Sequence, residues 1–456
     1  MISHVQLPGH AAGWTSKDRA AVAAGIGGDC RRTGFFFVHQ HGIPADLIQN
    51  VYVETGQFYR LSSTEKRPYD ATEQSQFLGY RGLGRERSRT HGGTEACEQY
   101  RIGNPGFLAR LRRAVAARDV QEVFPFHFDS TVTVLSRKLG LDTVTPGFGF
   151  LDQGGGRLLN SKATFRALAA GTGVAVPHGR VCSSQEETAE FLWDELLGQG
   201  RAAIVKQDFH VAGFGNEVIS PVAGVEPVGA LRTVVTADRE ELTKYVAERW
   251  NWLTDGERSP VVVEHYHVGS LPLCAEFHVG EKGAELAGHG AMRMAPVLNG
   301  HVWPAPAVEL EGFEEFMRSA QKLCAPIHAM GYRGVVSVDA IVTPEQNLLV
   351  NEFNCRVSGS THAYHIGEHV VGGNYLTERI LVEQRRCTFP TFTTAVRILA
   401  ENGLAYDHAT RTGVLVAVED GSDAGGFGEY CVVAENAEQA EQLEAALTRV
   451  FAAHGK

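Results

Sequence analysis

Two carboxylates and an amide are spaced so that they would meet on one face of a β-hairpin. Residues 335–355 consist of two apolar, β-branched stretches joined by the tight-turn sequence P-E-Q-N. Because side chains alternate along a strand, a symmetric hairpin places Asp339 opposite Glu352, with Asn354 on the same side. Two carboxylates at that distance repel each other unless a cation lies between them. An all-oxygen ligand set predicts Mg²⁺, or Mn²⁺, rather than zinc.

Arg356 follows two residues beyond Asn354 and would reach the same face, where it suits a phosphate or a carboxylate. A hairpin with a solvated polar face is the alternative interpretation. It explains Glu352 alone, but the apolar neighbours of all four polar residues indicate buried strands. Together with Asp339, these residues resemble the magnesium hairpin of the ATP-grasp superfamily. The resemblance implies that the chain binds ATP.

Two lysines upstream are the expected phosphate ligands. Lys162 opens a helix predicted over 163–170, where a cation opposes the helix dipole unless it faces an anion; an exposed lysine explains the residue equally well. Lys206 ends a strand predicted over 202–206, directly before a glycine-containing loop whose N–H groups can turn toward an anion. The ATP-grasp resemblance implies that both lysines hold the phosphates. It also implies a mobile lid formed by Gly213, Phe214, Gly215 and Asn216.

The resemblance implies further nucleotide contacts. A strand beginning at residue 261 runs into a polar hinge expected beside the adenine, with the residues Glu264, His265, Tyr266 and His267. Glu276 is the candidate for the ribose contact. Many ATP-grasp ligases carry an arginine two residues before the first metal aspartate, where this chain has Ser337. Arg293 and Arg356 are therefore the two candidates for holding an acyl-phosphate.

The first 105 residues resemble a different class of protein. G-F-F-F-V-H-Q-H-G-I-P (34–44), F-Y-R-L-S-S-T-E-K (58–66) and G-Y-R-G-L-G (79–84) are similar to the N-terminal region of isopenicillin-N-synthase-like oxygenases, which use iron and 2-oxoglutarate. That family binds iron in a later β-barrel, through H-x-D and a distant histidine. The one H-x-D sequence here, 127–129, precedes a helical stretch, so Asp129 or Ser130 is expected to be its N-cap. Because no barrel-length run of strands follows, iron chemistry is not expected.

Composition limits the remaining classes. The chain has 456 residues, enough for two to four domains, with 43% hydrophobic and 21% charged residues. A net charge of −11 gives no general footprint for nucleic acid. The eight cysteines include no C-x-x-C pair, which argues against a zinc ribbon and fits reduced thiols. Without an apolar run of about 18 residues or a secretion signal, we expect a cytoplasmic protein with no membrane partner.

The predicted fold class is α/β and α+β multidomain, an ATP-grasp fold with an added N-terminal domain and a small C-terminal α+β cap. Residues 121–150 are expected to form strand, helix and strand, and residues 121–456 are similar to the pheganomycin-type peptide ligases of natural-product pathways. The expected domains are 1–120 (oxygenase-like), 121–160 (α/β unit), 161–265 (lid), 266–387 (catalytic) and 388–456 (cap).

The implied activity is ligation of a small-molecule carboxylate to an amine, such as an amino acid or a peptide, through an acyl-phosphate with release of ADP. The assembly is left open, with a homodimer as one option. Two alternatives remain: a degenerate or bifunctional oxygenase fusion, and a non-catalytic nucleotide-binding module. The presence of both Asp339 and Glu352 speaks against the second alternative.

Overall fold

The computed structural model describes residues 105–118, 120–125, 127–310, 312–389, 391–419 and 426–454, and the strand residues 3–6, 36–39, 80–81 and 99–100. The strands are β1 (Ser3–Gln6), β2 (Phe36–His39), β3 (Tyr80–Arg81), β4 (Gln99–Tyr100), β5 (Gly179–Cys182), β6 (Ala203–Gln207), β7 (Asn216–Ser220), β8 (Thr233–Val235), β9 (Val261–His265), β10 (Leu271–Gly280), β11 (Gly283–Met294), β12 (Leu298–Trp303), β13 (Gly334–Val342), β14 (Leu348–Asn354), β15 (Ile380–Phe389), β16 (Gly413–Glu419) and β17 (Gly426–Ala434).

The α-helices of the described ranges are α1 (Pro105–Ala116), α2 (Ser130–Leu139), α3 (Phe148–Asp152), α4 (Gly155–Leu158), α5 (Lys162–Thr172), α6 (Gln185–Phe191), α7 (Arg239–Leu253), α8 (Phe313–Ala329), α9 (Thr361–Ile366), α10 (Tyr375–Glu378), α11 (Phe392–Glu401) and α12 (Ala437–His454). Short 3₁₀ turns lie at Asp142–Val144, Leu197–Gln199 and Pro306–Glu309, and π turns at Leu192–Leu196 and Gly367–Val371. Within these ranges, no helix is both long and apolar enough to cross a lipid bilayer.

A large antiparallel sheet forms the centre of the catalytic part. Its strand order is β14-β13-β10-β11-β12-β15-β17-β16, and helix α8 packs against one face through Phe316, Ala320, Leu323 and Ile327. The spacing of these four residues, three or four positions apart, predicts a helix with one apolar face. Burying each large apolar side chain stabilises the fold by about 1.5–3 kcal/mol, so this face anchors the strands that carry the hairpin.

A second, five-stranded sheet forms the lid, with the order β5-β9-β6-β7-β8. Helices α6 and α7 cover one of its faces, and Leu242, Val246 and Trp250 of α7 are buried there. Lys206 lies near the end of β6, as predicted, and the glycine-containing loop joins β6 to β7. The candidate phosphate-binding loop of the lid therefore follows a strand that is buried along its whole length.

The C-terminal segment contains the predicted strands and terminal helix, as β16, β17 and α12. They do not stand apart from the catalytic part, because β17 pairs with β15 and thereby extends the central sheet. Helices α11 and α12 cover this end through a separate core that includes Ile398, Leu399 and Leu447. The cap is thus α+β, as expected, and continuous with the sheet that carries the hairpin.

The strand–helix–strand prediction for residues 121–150 is wrong at both strands. The described residues before α2 are irregular, and α2 is followed by a 3₁₀ turn and helix α3. The apolar residue Phe128 of this stretch is buried without forming a strand. Its ring centroid lies 5.5 Å from that of Tyr332. A Cβ on Gly156 would lie 1.7 Å from the Phe128 carbonyl oxygen, so this stretch packs tightly against α4.

Helix α2 itself is as predicted. Asp129 is its N-cap, since the carboxylate Oδ1 accepts hydrogen bonds from Thr131 N at 2.9 Å and Val132 N at 3.4 Å. In the N-terminal segment, the apolar run at 34–38 predicts a strand, and it overlaps β2, which pairs in parallel with β1. The sequence also favours helices at 17–32 and 45–61, which lie outside the described residues.

Candidate active site

The β13–β14 hairpin brings the predicted metal ligands together. Asp339 is paired with Glu352 and Ser337 with Asn354, with a register irregularity between Asp339 and Ala340. Asn354 Nδ2 donates to Asp339 Oδ2 at 3.3 Å and to Glu352 Oε1 at 3.2 Å. The facing expected from the alternation of side chains is therefore present, and three oxygen-bearing side chains converge on one point.

The charges of the hairpin fit a divalent cation. Burial and the neighbouring Glu352 carboxylate raise the pKa of Asp339 well above its usual value. Burial also acts to raise the pKa of Glu352, but the cations Lys162 and Lys206 outweigh it and hold that pKa below its usual value. Two half-buried carboxylates that disfavour each other's charge form an oxygen donor set that Mg²⁺ or Mn²⁺ would stabilise.

Both predicted lysines are buried beside the hairpin. Lys162 Nζ donates to His210 O at 2.7 Å and lies 3.5 Å from Glu352 Oε2. Lys206 Nζ lies 2.5 Å from Glu264 Oε2. Burial lowers the pKa of Lys162, and the nearby charges of Lys206 and Arg356 lower it further against the opposing effect of Glu352. An anion placed between these cations would relieve their repulsion.

Asp208 was not found from the sequence, and it fixes Lys162 in place. Its Oδ1 accepts from Ser161 Oγ at 2.8 Å and from Ala163 N at 2.9 Å, while its carbonyl oxygen accepts from Lys162 N at 3.2 Å. The N-terminus of α5 is thus tied to the residue that follows β6. Ser161 is the N-cap of α5. Its partner Asp208 lies 47 positions further along the chain, so no local sequence pattern identifies Asp208.

The glycines of the lid loop allow close packing. Gly213 has a φ of +84°, and a Cβ there would lie 2.7 Å from Gly229 O. A Cβ on Gly215 would lie 2.2 Å from the Cβ of His210. Of the four predicted lid residues, Gly213 and Asn216 line the cavity. Phe214 and Gly215 are buried and do not line the cavity.

The lid loop is also bonded to the central sheet. Gly229 N donates to Pro296 O at 2.8 Å, and Leu298 N donates to Ala212 O at 3.3 Å. Residues 295–298 join β11 to β12, so the tip of this hairpin closes against the lid above the cavity. A closed lid excludes water from the site and strengthens the electrostatic interactions within it.

The hinge residues line the cavity, and Glu264 among them has an additional role as the partner of two cations. Glu264 is buried, and besides Lys206 it accepts a hydrogen bond from Arg166 Nη1 at 2.6 Å, so its carboxylate neutralises two cations. His265, Tyr266 and His267 form the wall beyond it, with the two imidazole centroids 4.0 Å apart. Burial and the adjacent His267 lower the pKa of His265 to about 4, so this wall is uncharged at neutral pH.

Glu276 is not at a position to contact a ribose. Its Oε2 accepts from Ser358 Oγ at 2.7 Å, Ser360 Oγ at 3.2 Å and Thr361 Oγ1 at 2.9 Å, and the side chain is buried. Burial raises its pKa against those three hydrogen bonds. Glu276 therefore holds the loop that follows the hairpin, and the expected ribose contact is not met by this residue.

Of the two candidate arginines, only Arg356 reaches the site. Its Nη2 donates to Asn354 Oδ1 at 2.6 Å, and its Nη1 donates to Asn160 Oδ1. Arg293 points to the opposite face of the central sheet, where its Nη1 donates to Glu444 Oε1 of α12 at 2.7 Å. The expectation for Arg293 fails because adjacent residues of a strand point to opposite faces, and Met292 takes the cavity side.

Another group of ligand-type side chains lies at the far end of the same cavity. His362, Glu383 and Glu429 have potential ligand atoms within 4.8 Å of one another. Arg385 Nε lies 3.1 Å from Glu383 Oε2 and 3.8 Å from Glu429 Oε1, so a guanidinium already supplies positive charge there. Arg385 also donates to Gly359 O and lines the cavity. No sequence motif predicts this arginine.

These groups line one cavity of about 430 Å³ between the lid and the central sheet. It runs from the hinge, past the two lysines and the hairpin, to a far end lined by Met292, His301, Gly359 and Arg385. A triphosphate could lie at the cationic centre, and a second molecule at the far end. The cavity therefore has room to bring a nucleotide and a small substrate together at the hairpin.

The two sheets, with the hairpin and lysines between them, form an ATP-grasp fold. A solved N5-carboxyaminoimidazole ribonucleotide synthetase in its ADP complex matches with a TM-score of 0.52 and 14% identity, covering 78% of this chain and 86% of that one. The biotin carboxylase domain of the 2-oxoglutarate carboxylase of Hydrogenobacter thermophilus, solved with ADP and magnesium, matches with a TM-score of 0.51 and 14% identity, covering 76% and 79%.

The sequence comparisons agree with both parts of the predicted resemblance. The chain is 26% identical over 367 residues to the L-propargylglycine–L-glutamate ligase of Streptantibioticus cattleyicolor, which is 75% of this chain and 72% of that protein. Residues 394–447 match the PGM1 C-terminal domain family. The N-terminal family of non-haem dioxygenases in morphine synthesis matches residues 7–114.

One oxygenase shows how far the N-terminal likeness extends. The chain is 30% identical over 118 residues to a homoarginine-6-hydroxylase of Oryza sativa subsp. japonica, covering 24% of this chain and 36% of that enzyme. The chain thus spans about a third of that relative's length. The predicted combination of an oxygenase-like segment with an ATP-grasp fold is confirmed.

Proposed function

We propose that this chain is an ATP-dependent ligase that joins a carboxylate to an amine and releases ADP and phosphate. The observation that carries the proposal is the convergence of Asp339, Glu352 and Asn354 with Lys162 and Lys206 in one cavity. Two of these groups are half-buried carboxylates and two are buried cations, an arrangement that suits phosphoryl transfer. The name of the related ligase supports two amino acids as substrates, in a natural-product pathway.

In the first half-reaction, a carboxylate oxygen of one substrate attacks the γ-phosphorus of ATP. The bond to ADP breaks and an acyl-phosphate forms. Lys162 and Lys206 hold the triphosphate from two sides, since Lys162 is fixed by Asp208 and Lys206 by Glu264. The closed lid loop excludes water, which would otherwise hydrolyse ATP or the acyl-phosphate.

Asp339, Glu352 and Asn354 would hold Mg²⁺, or Mn²⁺, which supplies positive charge for the phosphate oxygens and orients them. Arg356 lies next to these residues, with its guanidinium fixed by Asn354 and Asn160. It stabilises the negative charge on the phosphoryl group during transfer. In the second half-reaction the amine attacks the acyl carbon, and phosphate leaves.

The N-terminal segment contributes to the substrate end and not to ATP binding. Supporting this, the candidate metal and phosphate ligands all lie between Lys162 and Arg356, outside the first 105 residues. The five-stranded sheet lies within the proposed lid at 161–265, whereas the central sheet begins in the proposed catalytic part at 266–387 and continues into the cap. Substrates of this ligase are small molecules; the far end of the cavity has room for an amino acid rather than a folded protein.

The test is ADP release measured with each amino acid as carboxylate and each as amine, followed by mass spectrometry of the product. The proposal predicts one or a few pairs that release ADP and form a new species of the combined mass minus one water. Asp339→Asn is the control, because it keeps the shape of the hairpin and removes a predicted metal ligand. AMP as product, or equal ADP release by the control variant, would contradict the proposal.

A further inference from the structure

A buried carboxylate at the far end of the cavity organises an imidazole and a guanidinium. Glu383 of β15 is fully buried, and its Oε2 lies 2.7 Å from His301 Nδ1. Arg385 donates to the same carboxylate through Nε at 3.1 Å and Nη2 at 3.2 Å, and His362 Nε2 lies 3.0 Å from Oε1. None of these groups has a part in the phosphoryl transfer described above.

The charges of this cluster determine which nitrogen of His301 carries the proton. Burial acts to raise the pKa of Glu383, but the hydrogen bonds from His301 and His362 and the charge of Arg385 outweigh it and keep the carboxylate ionised. An ionised carboxylate can only accept, so Nδ1 of His301 must donate. In the neutral ring, Nε2 then carries a lone pair.

The second nitrogen of His301 faces the cavity. The side chain lines the cavity wall, and no hydrogen bond from Nε2 to the described residues is found. The ring is stacked on Trp303, with centroids 5.0 Å apart and an interplanar angle of 24°. Burial lowers the pKa of His301 against the hydrogen bond that its Nδ1 donates to Glu383, with Arg385 and His362 lowering it further, so the ring is neutral at neutral pH.

The distance from the hairpin suits a group that acts on the second substrate. Asp339 lies on β13 and His301 on β12, with β10 and β11 between them on the same cavity-facing side. Three strand spacings of about 4.8 Å, with an offset of two residues along the strands, put roughly 16 Å between the two Cα positions. That span has room for a phosphoryl group, an acyl group and an incoming amine in line.

We propose that His301 is the general base that deprotonates the amine substrate, and that Glu383 is the residue that positions it. This inference rests on the proposed ligase function and adds the group that the second half-reaction needs. An amino acid presents its amine as an ammonium ion at neutral pH, and an ammonium ion has no lone pair with which to attack.

The proton balance is complete within the known reactants. Nε2 takes one proton from the ammonium nitrogen, and Glu383 stabilises the resulting imidazolium. The freed lone pair attacks the acyl carbon, a C–N bond forms, and the C–O bond to phosphate breaks. The second proton lost by the nitrogen goes to the departing phosphate, and His301 returns its proton to solvent.

The experiment compares two nucleophiles in wild type and His301→Gln, with pooled L-amino acids as carboxylate donors and ATP. Hydroxylamine is unprotonated at neutral pH, needs no base and traps the acyl-phosphate as a hydroxamate; the amino acids themselves must first be deprotonated. We expect His301→Gln to form hydroxamate at the wild-type rate and amide about 10²–10⁴-fold more slowly. Amide formation by the variant should recover as the pH approaches the pKa of the free amine.

His289→Gln is the matched control. His289 lies on the neighbouring strand β11, is half-buried, and packs its ring against Phe313 away from the cavity, with Nδ1 accepting from Ala305 N at 3.2 Å. Both reactions should be unchanged in this variant. Normal hydroxamate formation also shows that the His301→Gln protein is folded.

Three results would count against the inference in different ways. Equal amide rates in wild type and His301→Gln, or a loss without recovery at high pH, would overturn the role of His301 while leaving the ligase function intact. Parallel loss of hydroxamate and amide would mean that His301 supports the fold or the first half-reaction. Absence of hydroxamate in the wild-type protein would overturn the proposed function and the base with it.

Discussion

Replacing Lys206 by methionine removes a cation whose partner, Glu264, is itself buried. The two side chains are 5% and 2% exposed, and Nζ lies 2.5 Å from Oε2. Breaking a buried ion pair costs about 3–5 kcal/mol, because one charge is left without its partner. Arg166 remains 2.6 Å from the other oxygen of Glu264, so we expect the lower end, about 3 kcal/mol.

The double variant Lys206→Met/Glu264→Gln separates stability from ATP binding. It removes both charges of the pair and leaves Arg166 with the carbonyl oxygens of Pro177 and Gly179. We expect it to recover at least half of the lost stability. ATP affinity should not recover, since the cation that faces the triphosphate is absent in both variants.

Urea unfolding followed by tryptophan fluorescence measures the stability, because Trp193, Trp250 and Trp252 all lie in the lid. Calorimetry measures ATP affinity in the same preparations. Lys244→Met is the control, as this lid lysine is 75% exposed and has no buried partner. A single variant as stable as wild type, or a double variant with restored ATP affinity, would refute the assignment of Lys206.

Three further changes test other parts of the site. Glu352→Gln should lower turnover by about 10²-fold or more while circular dichroism stays unchanged, and near wild-type ADP production in Mg²⁺ would show that the metal assignment is wrong. Arg356→Gln should lower kcat, whereas Arg293→Gln, whose half-buried ion pair lies on the other face, should leave kcat unchanged and cost about 1 kcal/mol; the reverse pattern would restore Arg293 to the site. A chain that begins near Asp119 should keep its ATP affinity by calorimetry and lose ligation, and weaker ATP binding by the folded truncation would contradict the role proposed for the N-terminal segment.

The hairpin could be predicted because its information is local. Asp339 and Glu352 are 13 positions apart, the turn lies midway between them, and alternation alone fixes their faces. The irregularity after Asp339 was not foreseeable, but it lies beyond the facing pair and leaves their register intact. Lys206 was found for a similar reason, since it lies near the end of a strand before a glycine-containing loop.

The failures occur where two elements distant in sequence meet. Both faces of the central sheet are covered, so β11 shows no simple alternation to say which side Arg293 takes. Glu276 is satisfied by hydroxyl groups more than 80 positions away, and the pair His301–Glu383 is 82 positions apart. Such contacts depend on strand order, and no pattern within a single segment specifies it.

The strands predicted before and after α2 failed for a related reason. The apolar residues at 123–128 predict a strand. In the structure, Phe128 instead inserts its ring into the core against Tyr332. Pro125 also lacks the N–H that a ladder needs. A short apolar run predicts burial more securely than it predicts the backbone conformation of the buried segment.

The most direct test of the ligase assignment is the fate of the carboxylate oxygens. The carboxylate substrate is labelled with ¹⁸O, the reaction is run with ATP and the amine, and the phosphate and nucleotide are examined by mass spectrometry. An acyl-phosphate intermediate predicts one ¹⁸O atom in inorganic phosphate and none in the nucleotide, which should be ADP. Label in AMP, or inorganic phosphate that carries no ¹⁸O although the amide has formed, would contradict the account.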